Sequence, residues 1–197
     1  MNVFLKMILA AIYSMFIQNL VFSSGYGMSE SIRMARRPRY FVMYTVTIVY
    51  FTTLTCFICG LLNKIKAIFL LSMSWQIVVY AVVLAVIYLL TSIIFIKVLK
   101  ASRKFMNSMG ICALNTLVLA VPLVNHLASY SLAESIGSGL GAGGAFMIAV
   151  VLINSGMRRI AANKHMPEVF KGMPAMFIYT ALLSLAFLSF SGEAFIV

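Results

Sequence analysis

Residues 67–96 read AIFLLSMSWQIVVYAVVLAVIYLLTSIIFI, and this stretch decides the fold. It contains no Asp, Glu, Lys or Arg, and Lys66 and Lys97 bound it on either side. A helix of about 20 apolar residues crosses the hydrocarbon core of a bilayer, so the stretch is long enough to span a membrane once. Its continuous apolar character argues against a membrane β-barrel, whose strands alternate over about 10 residues.

Five further uncharged intervals of sufficient length are spread along the chain. Hydrophobic residues make up 63% of the composition and charged residues 10%, with a mean hydropathy of +1.05, so the polar surface is too small for a soluble protein. We therefore predict an all-α polytopic membrane protein that forms a single membrane domain over residues 1–197. The six predicted spans cover approximately residues 3–22, 41–62, 72–96, 106–127, 137–156 and 174–191.

The basic residues are distributed asymmetrically between the predicted loops. Of the 15 Lys and Arg residues, only Lys6, Lys64 and Lys66 lie outside the three loops that follow spans one, three and five. Cytoplasmic loops carry the excess of positive charge, so those three loops are predicted to be cytoplasmic and both termini non-cytoplasmic. The net charge of +11 is then explained by topology and anionic lipid, and we predict no nucleic-acid partner.

Two spans contain polar or helix-breaking residues. The first gives way to SSGYGMS at residues 23–29, a polar stretch without charge. The fourth contains several residues that suit an interrupted helix: Asn115, Thr116, Pro122, Asn125 and His126. Because spans one and four take equivalent places in two three-helix halves, we predict an inverted 3+3 repeat with interrupted helices 1 and 4 and a site near the midplane.

A glycine-rich segment, GSGLGAGG at residues 137–144, opens the predicted fifth span. It satisfies the G-x-G-x-x-G pattern of dinucleotide-binding folds, but no strand precedes it and no βαβ unit follows. The spacing of four between Gly137 and Gly141, and between Gly139 and Gly143, is typical of small residues that let another helix approach closely. We therefore predict tight helix packing here.

The sequence offers few groups for catalysis. The four carboxylates and two histidines form no acid–base pair or triad, so we predict no catalytic residue. Cys56, Cys59 and Cys112 all lie inside apolar intervals, which favours buried packing. The C-x-x-C spacing of Cys56 and Cys59 would also suit half of a metal site, completed by another subunit, so this alternative stays open.

Motifs along most of the chain resemble the RnfA and NqrE subunits. They occur in that family's order and spacing, and are weakest between residues 31 and 102. They are FIQN (16–19), GMS (27–29), NT (115–116), YSLAES (130–135), GSGLGAGG (137–144), GMRR (156–159), MP (166–167), FKG (170–172) and LAFLSFSG (185–192).

The resemblance implies a membrane subunit of an ion-translocating oxidoreductase, either ferredoxin:NAD⁺ (Rnf) or NADH:quinone (Nqr), in a prokaryotic cytoplasmic (inner) membrane. Such a subunit is not catalytic alone. It pairs with a related subunit inserted upside down (RnfE- or NqrD-like) and works with other subunits. The pair shares a 2Fe-2S cluster, and electrons cross the membrane while Na⁺ or H⁺ moves.

This chain has Ser29 and Thr116 where the resemblance places the family's two cluster cysteines, and hydroxyls are not usual iron ligands. Three accounts stay open. In the first, the subunit keeps its structural place while the cluster is lost or replaced by another carrier. In the second, ligation has moved to Cys112, with Cys56 or Cys59 as further ligands. In the third, the scaffold serves as a stand-alone small-ion or solute transporter or a non-redox structural subunit. By resemblance, the midplane site would be lined by Asn19, Gly25, Gly27, Ser29, Asn115 and Thr116. Helix breaking and interhelical hydrogen bonding would explain the same residues.

Overall fold

The computed structural model describes residues 2–98, 100 and 102–191. Over these residues the protein is all-α and has no strand, which confirms the predicted fold class. Both chain ends, with the last residue of the 185–192 motif, lie outside the described residues. The α-helices are α1 (Val3–Ile12), α2 (Leu20–Ser23), α3 (Met28–Ala35), α4 (Phe41–Leu62), α5 (Lys66–Phe69), α6 (Met73–Lys97), α7 (Arg103–Ala113), α8 (Thr116–Leu127), α9 (Leu132–Ala162) and α10 (Met173–Ser191).

Among the residues described, six helical segments are long and apolar enough to cross a membrane, as predicted. They are Val3–Ser23, Phe41–Leu62, Met73–Lys97, Phe105–Leu127, Leu132–Ala162 and Met173–Phe190. The first comprises α1, a π-helical turn over Tyr13–Ile17 and α2, and the fourth comprises most of α7 together with α8. Many large apolar side chains on the outside of the bundle are exposed, as lipid-facing residues are.

Helix α9 is the central element and packs against α1, α3, α4, α8 and α10. Its glycines face two neighbours. A Cβ at Gly137 or Gly141 would overlap the carbonyl oxygen of Met7 or Ala11 in α1, and a Cβ at Gly139 would meet the backbone of α4 at 2.9 Å. This geometry confirms the close helix approach that the four-residue spacing predicted.

The fifth span is longer than the predicted 137–156 and starts earlier. Glu134 accepts hydrogen bonds from the backbone N–H of Ser131 at 2.8 Å and from its hydroxyl at 2.6 Å, and α9 begins at Leu132. The S-x-x-E spacing is visible in the sequence as a helix-start signal. The helix then continues through Arg158 and Arg159 to Ala162, since nothing in this stretch breaks it.

The buried core lies where α9 meets the two interrupted spans. One cluster includes Phe22, Ile48, Leu117 and Phe146, all nearly inaccessible. A second cluster around Phe51 joins α4 to α6, α7 and α8. Both interrupted segments are therefore held from several sides, and non-helical backbone within a membrane requires such cover.

Candidate functional site

The first span is interrupted at Gln18 and Asn19. Asn19 is completely buried, and its side-chain oxygen accepts hydrogen bonds from the backbone N–H of Val21 at 3.2 Å and of Phe22 at 3.3 Å. Its amide group donates to the carbonyl of Met15 at 3.2 Å. Asn19 thus caps α2 and satisfies the backbone groups that the break exposes. Sequence reasoning placed the unwinding later, at residues 23–29, and missed this break.

The fourth span is interrupted at Leu114 and Asn115. Asn115 is 4% exposed, and its side-chain oxygen accepts a hydrogen bond from Leu117 N–H at 2.9 Å, which caps α8. Its side-chain nitrogen is buried without a hydrogen-bond partner among the residues described. Pro122 lies inside α8 and does not end it. A buried Asn before an apolar run was the signal that both breaks share.

The chain turns back after α2 through two glycines. Gly25 and Gly27 have φ values of +74° and +76°, which glycine adopts without steric cost. Gly27 precedes α3, and its carbonyl accepts hydrogen bonds from the N–H and the hydroxyl of Ser31, both at 3.0 Å. The polar stretch predicted at residues 23–29 therefore forms a tight turn that starts α3.

The two interrupted segments meet at Gly27. Its backbone N–H donates to the side-chain oxygen of Thr116 at 3.0 Å. A Cβ on Gly27 would lie 3.0 Å from the side-chain oxygen of Asn115 and 3.2 Å from the Cβ of Leu117. The turn after span one thus sits directly on the start of α8, where positive partial charge gathers at a helix N-terminus.

Of the six residues predicted to line a midplane site, the structure brings Gly27, Asn115 and Thr116 together. Asn19 caps the other break. Gly25 and Ser29 are exposed, and a Cβ on Gly25 would have no neighbour within 4 Å. Two further contacts of Gly27, Ser31 and Leu117, were missed because a serine or leucine carries no distinctive signal in an apolar span.

One ion pair lies beside this contact, in the first turns of α3. Arg33 pairs with Glu30 three residues before it. Burial raises the pKa of the Glu30 carboxyl above its ordinary value, and the Arg33 charge and hydrogen bond oppose that rise. The ion pair with Arg33 therefore offsets part of the cost of placing the charged Glu30 carboxylate at a partly buried position.

The three cysteines are free thiols with about 1% exposure each. Cys56 accepts a 3.5 Å hydrogen bond from the Asn125 amide, and Cys56 and Cys112 both belong to the core cluster around Phe146. Within the described part of the chain, no group of three or more His, Cys, Asp or Glu residues could hold a metal ion.

The contact between the breaks opens on one side to a cavity of about 200 Å³. Tyr26, Ile77, Thr116 and Leu119 contribute to its lining. Leu114, two residues before Thr116 in the chain, is 72% exposed although it lies at the interruption of a span. The interrupted region therefore has one face that the rest of the described chain does not cover.

Known proteins share the pattern of this chain over nearly its whole length. A family model described as "Rnf-Nqr subunit, membrane protein" matches residues 7–193. The A subunit of the Na⁺-translocating ferredoxin:NAD⁺ oxidoreductase complex of Acetobacterium woodii is 25% identical over 193 residues, which cover 95% of this chain and 98% of that protein.

Shorter alignments are more similar. The A subunit of the proton-translocating ferredoxin:NAD⁺ oxidoreductase complex of Clostridium ljungdahlii is 35% identical over 80 residues, or 41% of each chain. The corresponding protein of an ion-translocating oxidoreductase complex of Aromatoleum aromaticum is 38% identical over 97 residues, which cover 47% of this chain and 50% of that one. These two matches thus span half or less of the relatives' length.

Proposed function

Because this chain belongs to the Rnf-Nqr subunit family of membrane proteins, we propose that it is an RnfA-like subunit of an ion-translocating electron-transport complex. Full-length similarity to one member of such a complex supports the proposal. The observation that carries it is the hydrogen bond from Gly27 N–H to Thr116, which joins the turn after one interrupted span to the helix start inside the other. Interrupted spans at matching positions are typical of sites built from inverted repeats.

The partner in this proposal is a related subunit inserted upside down, RnfE- or NqrD-like, together with further subunits of the complex. The uncovered face at the breaks supports it, because Leu114 and Thr116 are exposed where a span is interrupted, and non-helical segments within a membrane are normally covered by protein. Asn115 adds a buried amide group without an acceptor in the described chain. An oxygen from a partner would satisfy it if the start of α8 repacks on assembly, since the amide nitrogen is buried in the isolated chain.

The orientation we propose puts the termini on the non-cytoplasmic side of a prokaryotic inner membrane. Arg33 and Arg37 of the first basic loop share a cavity of about 630 Å³ with Ser102 of the second, so these loops lie at one end of the bundle. Lys6 and Lys64 share a different cavity. This grouping supports the positive-inside assignment.

The residues at the site do not fit the ligand set of a 2Fe-2S cluster. Thr116 presents a hydroxyl that already accepts a hydrogen bond, and Ser29 presents another, whereas such clusters are held by thiolates. The three thiols are buried in the chain's own interior, so a cluster shared across a subunit interface could not reach them without repacking. The proposed subunit therefore supplies the scaffold and a polar, cluster-free contact.

Affinity purification of the tagged chain from its native membrane tests the proposal. We expect an inverted homologue and redox subunits to co-purify. Leu114→Arg, which places a charge on the uncovered face, is expected to release them, while Leu89→Arg on the lipid-exposed side of α6 serves as the matched control. Recovery of the chain alone under conditions that preserve the complex would contradict the proposal and favour a stand-alone transporter.

Iron analysis of the same preparation separates the accounts of the cluster. We expect no cluster signal assigned to this subunit, and no change in iron content when Cys56, Cys59 and Cys112 are replaced by Ser. Loss of iron in the triple variant, with the complex still assembled, would show that ligation has moved to these thiols.

A further inference from the structure

A cavity of about 580 Å³ opens at the end of the bundle where spans one and five begin and spans two and four end. All four of these spans contribute to its lining. Lys6 lies at the start of span one and Lys64 follows span two. Polar residues complete the lining: Asn63, Asn125, His126, Ser129 and Ser131. The cavity thus combines two cations with several hydrogen-bonding groups at one membrane surface.

The placement of these lysines is unusual for this chain. Only three basic residues lie on the proposed non-cytoplasmic side, and two of them, Lys6 and Lys64, line this one cavity. Lysines on that side act against the charge bias that orients the spans. Their convergence on one cavity points to a negatively charged ligand.

Asn125 provides an independent observation. It is 3% exposed, lines the cavity, and donates through its amide nitrogen to Cys56 Sγ and to the Ser135 carbonyl, both at 3.5 Å. Its side-chain oxygen has no hydrogen-bond partner among the described residues, and the same holds for His126 Nδ1. A buried acceptor without a donor is costly, so a bound hydroxyl or N–H group would stabilise this site.

An apolar groove continues from the cavity. A second cavity of about 370 Å³ shares Lys6 and Tyr130 with the first and runs along span one past Leu9, Ile12 and Ile17. Glu134 also lines it, and its carboxylate accepts two hydrogen bonds from Ser131 and is attracted by the charge of Lys6. One carboxylate against Lys6 and Lys64 leaves the joined region cationic. A polar, cationic pocket that leads into a lipid-facing apolar groove matches a molecule with an anionic head and a long hydrocarbon tail.

We propose that these joined cavities bind an anionic glycerophospholipid of the non-cytoplasmic leaflet, with its phosphate near Lys6 and Lys64 and a headgroup hydroxyl toward Asn125. The acyl chain lies along the groove past Leu9 and Ile12. Basic pockets between membrane helices bind such headgroups in this way. The bound lipid fills the space between the start of span one and the ends of spans two and four, and so fixes them relative to each other.

Native mass spectrometry of the delipidated complex tests the proposal, with phosphatidylglycerol and phosphatidylcholine of identical acyl chains as probes. We expect phosphatidylglycerol to bind more tightly. The double variant Lys6→Gln/Lys64→Gln is expected to bind it roughly 30-fold more weakly, since each lysine near the membrane surface strengthens anionic-lipid binding by about fivefold. The matched control is Lys66→Gln, which removes the third lysine of this side without touching the cavity and is expected to bind like the wild type.

Three results would overturn the proposal: equal binding of the two lipids, wild-type affinity in the double variant, or full competition by glycerol 3-phosphate, which lacks the tail. Thermal unfolding in lipid-free detergent guards against a trivial effect. In lipid-free detergent the double variant is expected to unfold at the same temperature as the wild type. When phosphatidylglycerol is added, its unfolding temperature is expected to rise less than that of the wild type. Equal stabilisation of both proteins by the lipid would also contradict the proposal.

Discussion

In both the first and the fourth span, a buried asparagine ends the break and caps the helix that follows, but the two side chains are used differently. Asn19 satisfies two N–H groups and also donates to Met15, all within its own segment. Asn115 caps one N–H group and leaves its amide nitrogen without a partner in the described chain. The first break therefore satisfies its own polar groups, while the second leaves one buried donor unpaired.

From this difference we infer that the two breaks have different structural roles. A self-contained cap fixes the direction in which the chain leaves span one, so that the turn at Gly27 reaches α8. An incompletely paired cap retains hydrogen-bonding capacity for a neighbouring molecule. Substitutions at equivalent positions of the two breaks should therefore have unequal effects on stability and on assembly.

The largest effect is expected at the caps themselves. Asn19→Ala removes the acceptor of Val21 N–H and the donor to Met15, and is expected to lower the free energy of unfolding by about 2–3 kcal/mol. Asn115→Ala removes a single hydrogen bond and should cost about 1 kcal/mol. Unfolding in mixed detergent micelles measures both. Asn2→Ala is the control, since Asn2 is exposed and its side chain caps nothing; an equal loss at positions 2 and 19 would contradict the comparison.

The second effect separates backbone strain from crowding at the turn between the breaks. Gly27→Ala places a Cβ on a residue with positive φ and close to Asn115 and Leu117, so it is expected to lower the free energy of unfolding by about 2 kcal/mol. Gly25→Ala meets a similar φ but open space, and should cost about 1 kcal/mol. The same unfolding assay checks this pair. Equal costs would mean that the contact between the breaks adds nothing.

A third substitution removes only the hydrogen bond that joins the breaks. Thr116→Val leaves Gly27 N–H without its acceptor and is expected to cost about 1 kcal/mol, whereas Thr116→Ser keeps the hydroxyl and should restore most of that loss. Ser29→Ala, at the other position that resembles a cluster-ligand position, should change stability by less than about 0.5 kcal/mol, because Ser29 is exposed. A destabilised Ser29 variant would show that this serine is structural.

The smallest expected effect is on the pH dependence of stability. It is expected at α3, which follows the turn after span one and carries Glu30 in its first turn, and not at α8, whose first turn has no acidic residue. Burial raises the folded-state pKa of Glu30 above 4.5, against the opposing effect of Arg33. The stabilising contribution of the protonated carboxyl is therefore complete below about pH 4.5 and is lost as the pH rises through the raised value. Between about pH 4 and about pH 7, the wild type should lose stability relative to Glu30→Gln. The opposite slope would mean that Arg33 outweighs burial.

Much of the fold could be predicted because it depends on composition over long intervals. Six uncharged intervals bounded by charged residues indicated six spans, and the four-residue spacing of Gly137 and Gly141 indicated the close packing against α1. These signals are strong because a charged residue is energetically costly anywhere along a membrane-spanning helix, and because small residues allow favourable packing wherever two helix backbones approach closely.

The details of the candidate site depend on single residues, and prediction was less complete there. The sequence indicated Gly27, Asn115 and Thr116, but not the cap at Asn19 as the point where span one breaks, nor Ser31 as a contact of Gly27. Pro122 was grouped with the helix breakers, yet α8 continues through it, since neighbouring groups in membrane bundles compensate the lost hydrogen bond. Whether a buried polar residue breaks a helix depends on tertiary partners that a single sequence does not reveal.

The length of α9 has a consequence for the aqueous surface of the protein. Its 31 residues measure about 46 Å along the helix axis, and even a tilt of about 40° leaves about 35 Å along the membrane normal. The hydrocarbon layer is about 30 Å thick, so one end of α9 stands clear of it. Arg158 and Arg159 belong to that end. A water-soluble protein approaching this side would therefore meet the cationic end of the helix that packs at the centre of the bundle.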